Sequence, residues 1–256
     1  MSIKINNVSF KYNKHLDNVL DDVSFTVDSG KICVLLGLNG SGKTTLIKNI
    51  AGIYQPDSGT ILIDDKNINE LSINERSKLF SYVSQKENNI SDVLVREYLS
   101  FGMVNTLKFY QKPTEEQCEK VGAYASKFKI THLLDKPINE VSGGERQIIS
   151  ICCAMLQSTE VILLDEPTSA LDLKNQNMVL SILKKLANEE HKTILLSTHN
   201  PNHALFLNSD VVLMKDGKLL TYGPSSEIIN KEVLKDVYGD NICKSSELNY
   251  QEISFK

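Results

Sequence analysis

Val23, Phe25 and Val27 alternate with Ser24 and Thr26, and Ile3, Ile5 and Val8 recur more loosely before them. That period belongs to strands with one face turned inward. Asp28-Ser29-Gly30 breaks the run, and 31–36 reads KICVLL, a continuous apolar stretch suited to a strand covered on both faces. A glycine-rich segment follows. Leu46, Ile47, Ile50 and Ile53 then repeat at helical spacing over 44–53, so the first clear unit is strand, glycine loop, helix. A second β piece at 59–63 leads to a polar turn, a short helix around 74–79 and a strand at 80–83.

From Lys86 to about Glu160 the pattern turns helical. Cys118, Val121, Ala125 and Phe128 share one face of a helix over 115–128. Thr114 and Gln117 stand where an N-cap and its capping-box partner belong. Another helix is expected from near Gly144 to Leu156. The β pattern returns at 161–164, and an amphipathic helix over 174–190 turns Met178, Val179, Ile182, Leu183 and Leu186 inward. A strand at 193–197 comes next, and Asp216-Gly217 between 211–214 and 218–222 signals a hairpin. Residues 224–256 read as two short helices and a polar tail. Strands alternating with helices predict an α/β fold: a mixed sheet core flanked by helices, with an N-terminal antiparallel β region and an inserted helical subdomain. The expected organisation is one domain over 1–256. Its core is 1–86 and 161–222, its helical subdomain 87–160, and its C-terminal helical extension 223–256.

The 256 residues suit a single core with a subdomain. A net charge of −4 argues against broad nucleic-acid binding, which wants a basic surface, but leaves room for a local phosphate site. Every apolar run falls far short of the ~18–20 residues that cross a bilayer, and the N-terminus lacks the continuous apolar region of a signal peptide. The chain is therefore expected neither to span a membrane nor to be exported. Five cysteines without a C-x-x-C pair read as reduced, buried thiols, not metal ligands.

The chemistry sits in a few places. Gly37-Leu38-Asn39-Gly40-Ser41-Gly42-Lys43-Thr44 fits G-x-x-x-x-G-K-[ST]. Glycines at this spacing let successive backbone N–H groups curl into an anion nest, and the helix that follows points its positive end at the same spot. Lys43 reaches the β- and γ-phosphates and the Thr44 hydroxyl ligates Mg²⁺ in such a loop; Thr45 follows directly. About 120 residues later, Val161–Leu164 is an apolar strand from whose C-terminal end Asp165 and Glu166 emerge. Ligands of open α/β sheets bind at that edge. Asp165 is placed to hold Mg²⁺ through water, and Glu166 to polarise an attacking water.

A phosphate loop alone leaves kinases, GTPases, helicases and transport ATPases open. Val141-Ser142-Gly143-Gly144-Glu145-Arg146-Gln147 resembles the LSGGQ signature of ATP-binding cassette (ABC) proteins, with Val141 for Leu and Glu145 for Gln. It lies 19 residues before the Val161 strand. Other motifs of that family follow the same order. Tyr12 resembles the aromatic that stacks on adenine, and Gln85 the Q-loop glutamine, which in the family also meets the metal. Ser169-Ala170-Leu171-Asp172 resembles the D-loop, and His199 the switch histidine. The chain is thus identified as similar to the nucleotide-binding subunits of ABC transporters over residues 3–222, with a P-loop NTPase fold of ABC type.

The resemblance implies ATP and Mg²⁺ as ligands and a homodimer that sandwiches two ATP molecules. In it the Ser142-Gly143-Gly144 turn of one copy faces the phosphate loop of the other. It also implies a separate transmembrane permease docking near 86–104, an extracytoplasmic substrate-binding protein, no nucleic acid, and a place on the cytoplasmic face of the membrane. The C-terminal run 216–238, and Leu171-Asp172 with Asn175-Gln176, are similar to ATPases of iron-chelate importers. A zinc or manganese importer, or an iron–sulfur assembly ATPase, is the alternative. His15, His132, His191 and His203 read as structural residues.

Overall fold

The computed structural model describes residues 1–85, 92–103 and 114–238, without the Lys231 side chain. Residues 86–91, with Asn88 and Asn89, and residue 104 of the expected permease-facing stretch, Cys243 and the polar tail lie outside the described residues.

Two sheets form the frame. The first has four strands in the order β2-β1-β4-β5, with β1 at Ile3–Phe10, β2 at Leu20–Val27, β4 at Ser58–Ile63 and β5 at Lys66–Asn67. Its described pairs are antiparallel. Ile3 and Ile5 point inward by simple alternation, and Val8 does so because the chain bulges at Asn7, whose φ is +49°. The bulge explains the loose spacing of those three residues, since one extra residue re-phases the strand.

The second sheet has six strands in the order β10-β9-β3-β8-β7-β6. These are β3 (Ile32–Leu36), β6 (Phe80–Val83), β7 (Val161–Leu164), β8 (Thr193–Thr198), β9 (Asp210–Lys215) and β10 (Lys218–Pro224). All run parallel except β10, which closes the expected hairpin with β9. The central strand β3 is buried on both faces, as its unbroken apolar run requires. Cys33 and Leu35 face the first sheet. They share that core with Ile5, Phe25, Ile61 and the inner face of α1 (Lys43–Ile50). Ile32, Val34 and Leu36 face the other way, into a second core built with the helices.

Those helices include α3 (Val95–Phe101), α4 (Glu115–Lys127), α5 (Gly143–Leu156), α6 (Leu173–Glu190) and α7 (Pro201–Leu207). A short α2 (Ile73–Leu79) precedes β6, and α8 (Ser225–Ile228) and α9 (Lys231–Tyr238) follow β10. The cap at Thr114 is present: its side chain accepts from the Gln117 N–H, and Gln117 reaches back. Among the described residues, no helix is long and apolar enough to cross a membrane.

Two expectations need correction. The α1 stripe ends at Ile50, because Gly52 takes a φ of +63° and turns the chain out; Ile53 is 52% exposed. Cys118 is exposed instead of buried, since the first turn of α4 projects beyond the packing that buries Val121 and Ala125. The helix α7 is an element that hydrophobic period does not announce. Its signal is Asn200-Pro201, an N-cap followed by proline at the first helical position.

Candidate active site

The phosphate loop joins β3 to α1 at the C-terminal edge of the parallel sheet. Gly40 and Gly42 hold φ of +84° and +99°, conformations that favour glycine. Gly37 is needed for space: a Cβ there would come within 2.4 Å of the Met214 carbonyl and 2.6 Å of Ser41 Oγ. Ser41 is buried, and its hydroxyl has no hydrogen-bond partner among the described residues. The Lys43 ammonium lies inside the loop, donating to the carbonyls of Gly37 (2.8 Å) and Leu38 (2.9 Å). Burial lowers its pKa, while the charges of Glu166 and Asp165 pull the other way. A cation held among backbone dipoles this way is poised for an anion.

Thr44 Oγ1 donates to Asp165 Oδ1 at 3.0 Å, across 121 residues of sequence. Ser197, from the end of β8, donates its hydroxyl to the same oxygen at 2.7 Å. Its Oγ also accepts the Glu166 N–H at 2.9 Å. The other oxygen, Asp165 Oδ2, is buried and has no hydrogen-bond partner among the described residues. A buried carboxylate oxygen with open lone pairs, beside a threonine hydroxyl, is a donor set suited to a hard divalent cation such as Mg²⁺.

Glu166 sits at φ +48° and lines the same cavity as the loop. Its Oε2 accepts from Gln85 Nε2 at 3.1 Å and lies 3.7 Å from His199 Nδ1. Glu166 is 8% exposed whereas the His199 side chain is 57% exposed. The parallel pairing of β6, β7 and β8 delivers these three residues together, because each stands just past the end of its strand. Sequence reading named all three. It did not name Ser197, whose only signal is its position one strand over from Asp165.

Tyr12 stands just beyond β1, its ring edge-on to both Phe10 (5.2 Å between centroids) and Tyr54 (5.6 Å). Its hydroxyl shares a hydrogen bond of 2.8 Å with Thr45 Oγ1. Tyr12, Asn39, Gly40, Gly42, Lys43, Thr44, Thr45, Gln85 and Glu166 line one open cavity of about 470 Å³.

The remaining sequence-named residues lie elsewhere. Ser142 caps α5, exchanging hydrogen bonds with Glu145 in a full capping box. Ser142 Oγ and N–H donate to Glu145 Oε2 at 2.7 and 2.8 Å, and this pairing lowers the Glu145 pKa. Gly143 and Gly144 are the first turn of that helix. A Cβ at Gly144 would come 3.1 Å from the Ala170 carbonyl, so the helix start packs against the turn after Glu166. Asp172 caps α6 through the Asn175 N–H. Neither Ser142 nor Asp172 lines the cavity of its own chain.

Fold, phosphate loop and the carboxylate pair at the sheet edge define a P-loop ATPase. Residues 20–169 match the family model described as ABC transporter. Over 239 residues the chain is 33% identical to a Helicobacter pylori protein named as an iron chelatin transport ATP-binding protein, covering 93% of each. It is 32% identical to the petrobactin import ATP-binding protein YclP of Bacillus subtilis, covering 92% of each.

Two solved structures are also similar. One, described as a metal-chelate type ABC transporter in an inward-facing conformation, gives a TM-score of 0.78 at 28% identity, over 93% of this chain and 88% of that one. The other, the dimeric ATP-binding cassette MJ0796 bound to ADP and Pi, gives 0.79 at 26%, over 87% and 98%. The chain belongs to the ABC transporter family. It is an ATP-binding, ATP-hydrolysing subunit of an ABC transporter.

Proposed function

We propose that this subunit powers import of an iron chelate, with Glu166 as the general base of ATP hydrolysis. The observation that carries the catalytic part is the convergence of Lys43, Thr44, Asp165, Glu166, Gln85 and His199 around one cavity edge. Near end-to-end likeness to ATPases named for iron chelatin and petrobactin carries the substrate.

In this reading Tyr12 stacks on the adenine. Gly37, Asn39, Gly40, Ser41 and Gly42 offer backbone and hydroxyl donors to the phosphates, with Lys43 as their cation and Thr45 beside them. Mg²⁺ would be held by Thr44, Asp165 and Gln85, partly through water, and supplies charge neutralisation at the β- and γ-phosphates. Glu166 takes the proton of the attacking water. Gln85 orients that carboxylate, and His199 faces it from the neighbouring strand.

Ser142, Gly143, Gly144 and Glu145 are proposed to act on the second copy's nucleotide, with Asp172 at the same dimer face. That supplies in trans what other P-loop enzymes take from an arginine finger. ATP then becomes part of the dimer interface, and hydrolysis releases it.

The proposed organisation keeps 1–86 and 161–222 as the nucleotide-binding core, 87–160 as the helical subdomain and 223–256 as the extension. The permease is proposed to sit beside Gln85 and α3. The subunit would lie on the cytoplasmic face of the membrane, in a system with an extracytoplasmic substrate-binding protein.

Uptake of a labelled ferric chelate by cells lacking the endogenous subunit tests the reading. Wild-type chain should restore uptake and Glu166→Gln should not. Restored zinc or manganese uptake without chelate uptake would refute the substrate while leaving the ATPase intact.

A further inference from the structure

Glu166 and His199 face each other across the cavity edge, but each is carried on a different arm of the chain. One arm is the turn after β7, from Glu166 to Leu171. It is closed by Ser169 N–H and Oγ donating to the Glu166 carbonyl (3.2 and 3.0 Å), and by Leu171 N–H to the Thr168 carbonyl (3.2 Å). The other is the turn after β8, closed by the Asn200 N–H donating to Thr198 Oγ1 at 3.1 Å. Behind both arms, away from the nucleotide cavity, lie two polar side chains that the reaction does not use.

Gln176, on the first turns of α6, donates through Nε2 to the carbonyls of Leu171 (2.9 Å) and Thr168 (3.3 Å). With its amide nitrogen committed to the first arm, Oε1 faces His203 Nε2 at 3.4 Å. His203, on α7, is 7% exposed and has Nδ1 3.0 Å from Thr198 Oγ1 on the second arm.

The Gln176 link requires one tautomer. Gln176 Oε1 can only accept, so that link needs the His203 proton on Nε2. Nδ1 is then bare and accepts from the Thr198 hydroxyl, whose oxygen in turn takes the Asn200 N–H. Asn200 Nδ2, 3.3 Å from Nε2, competes for that nitrogen in the opposite tautomer, which would break the Gln176 link. Burial and the nearby His199 push the His203 pKa down to about 4, keeping the ring neutral as the network requires.

We infer that Gln176 and His203 are positioning residues: a strut that sets the spacing between the arm bearing Glu166 and the arm bearing His199. The inference rests on the reading of Glu166 and His199 as the reacting pair. Neither strut residue lines the nucleotide cavity. Cutting the strut should therefore leave ATP affinity alone and misplace the pair, and small misplacements remote from the chemistry can cost up to about 100-fold in rate.

The test uses the full chain with Gln176→Met, His203→Asn and the double variant. Asparagine keeps an acceptor for Thr198 but is too short for Gln176, so His203→Asn cuts the same link as Gln176→Met while sparing the fold. Each single variant should lower kcat by about tenfold with KM for ATP within about twofold of wild type. The double variant should be no slower than either single, because one link can be lost only once.

In the nucleotide-free chain, imidazole ¹⁵N spectra should show His203 as the Nε2–H form. Gln176→Met should mix its tautomers and shift the His199 ring, which Gln176 does not touch. Wild-type kcat in either single variant, losses that multiply, or parallel changes in KM and kcat would overturn the strut. So would an unmoved His199 signal. The spectra are read without turnover, so a failure of Glu166 as base is separable from a failure of the strut.

Discussion

Glu166→Gln isolates one proton-accepting oxygen with little else disturbed. Glutamine has the size of glutamate and keeps an amide oxygen that can still accept from Gln85 Nε2, now at 3.1 Å. The Glu166 N–H stays bonded to Ser197 Oγ, so the turn after β7 keeps its place. What is lost is basicity. A positioned general base contributes about 10²–10⁴ in rate, which corresponds to roughly 3–5 kcal/mol of barrier. Removing a negative charge beside Lys43 and the bound phosphates also eases their crowding, so nucleotide affinity should hold or tighten. The assay is phosphate release at saturating MgATP, paired with nucleotide binding and sedimentation of the ATP-bound chain. The expected result is retained binding, accumulation of the dimer and turnover at least ~100-fold slower. Turnover within about threefold of wild type would refute the assignment and move the base elsewhere.

Three further outcomes follow from the same geometry. Lys43→Ala removes a buried cation bonded to two carbonyls, and should weaken ATP binding by roughly 10–100-fold, read by equilibrium titration. Leu35→Ala empties a fully buried position between the two sheets and should cost about 2–5 kcal/mol in urea unfolding. His203 should make the fold acid-sensitive. Its pKa is about 4 when folded against the ordinary 6.5, so the unfolded chain binds the proton first as pH falls. That stability is fully present above pH 6.5 and lost between there and about 4, a loss on the order of 3 kcal/mol. Urea midpoints across that range should fall less in His203→Asn than in wild type.

The β positions were legible because a strand's inward face repeats every second residue. Val23, Phe25 and Val27 declare theirs without any partner being known. The phosphate loop was legible for a different reason: its glycines answer to backbone conformation, which is local. Ile53 misled, because helical spacing continues one step past a helix that Gly52 ends. Cys118 misled likewise, since periodicity reports which face of α4 is apolar but not how far along the helix its packing extends. His203 was read as structural, and it is buried and bonded on both ring nitrogens; its partners Thr198 and Gln176 could not be guessed from spacing.

From the chain alone came most of the order of strands and helices, β5 and α7 excepted, the nest for phosphate, and the acidic pair at a strand end. Each is written in residues close together, where backbone preference and hydrophobic period act directly. Tertiary structure alone decided that Thr44 and Ser197 meet on one oxygen of Asp165 while the other stays open, that Gln85 and His199 flank Glu166, and that Gln176 and His203 bridge the arms behind them. Those contacts join strands adjacent in the sheet but distant in sequence. Sheet order is settled by which faces bury best together, a property of the whole fold and not of any one segment.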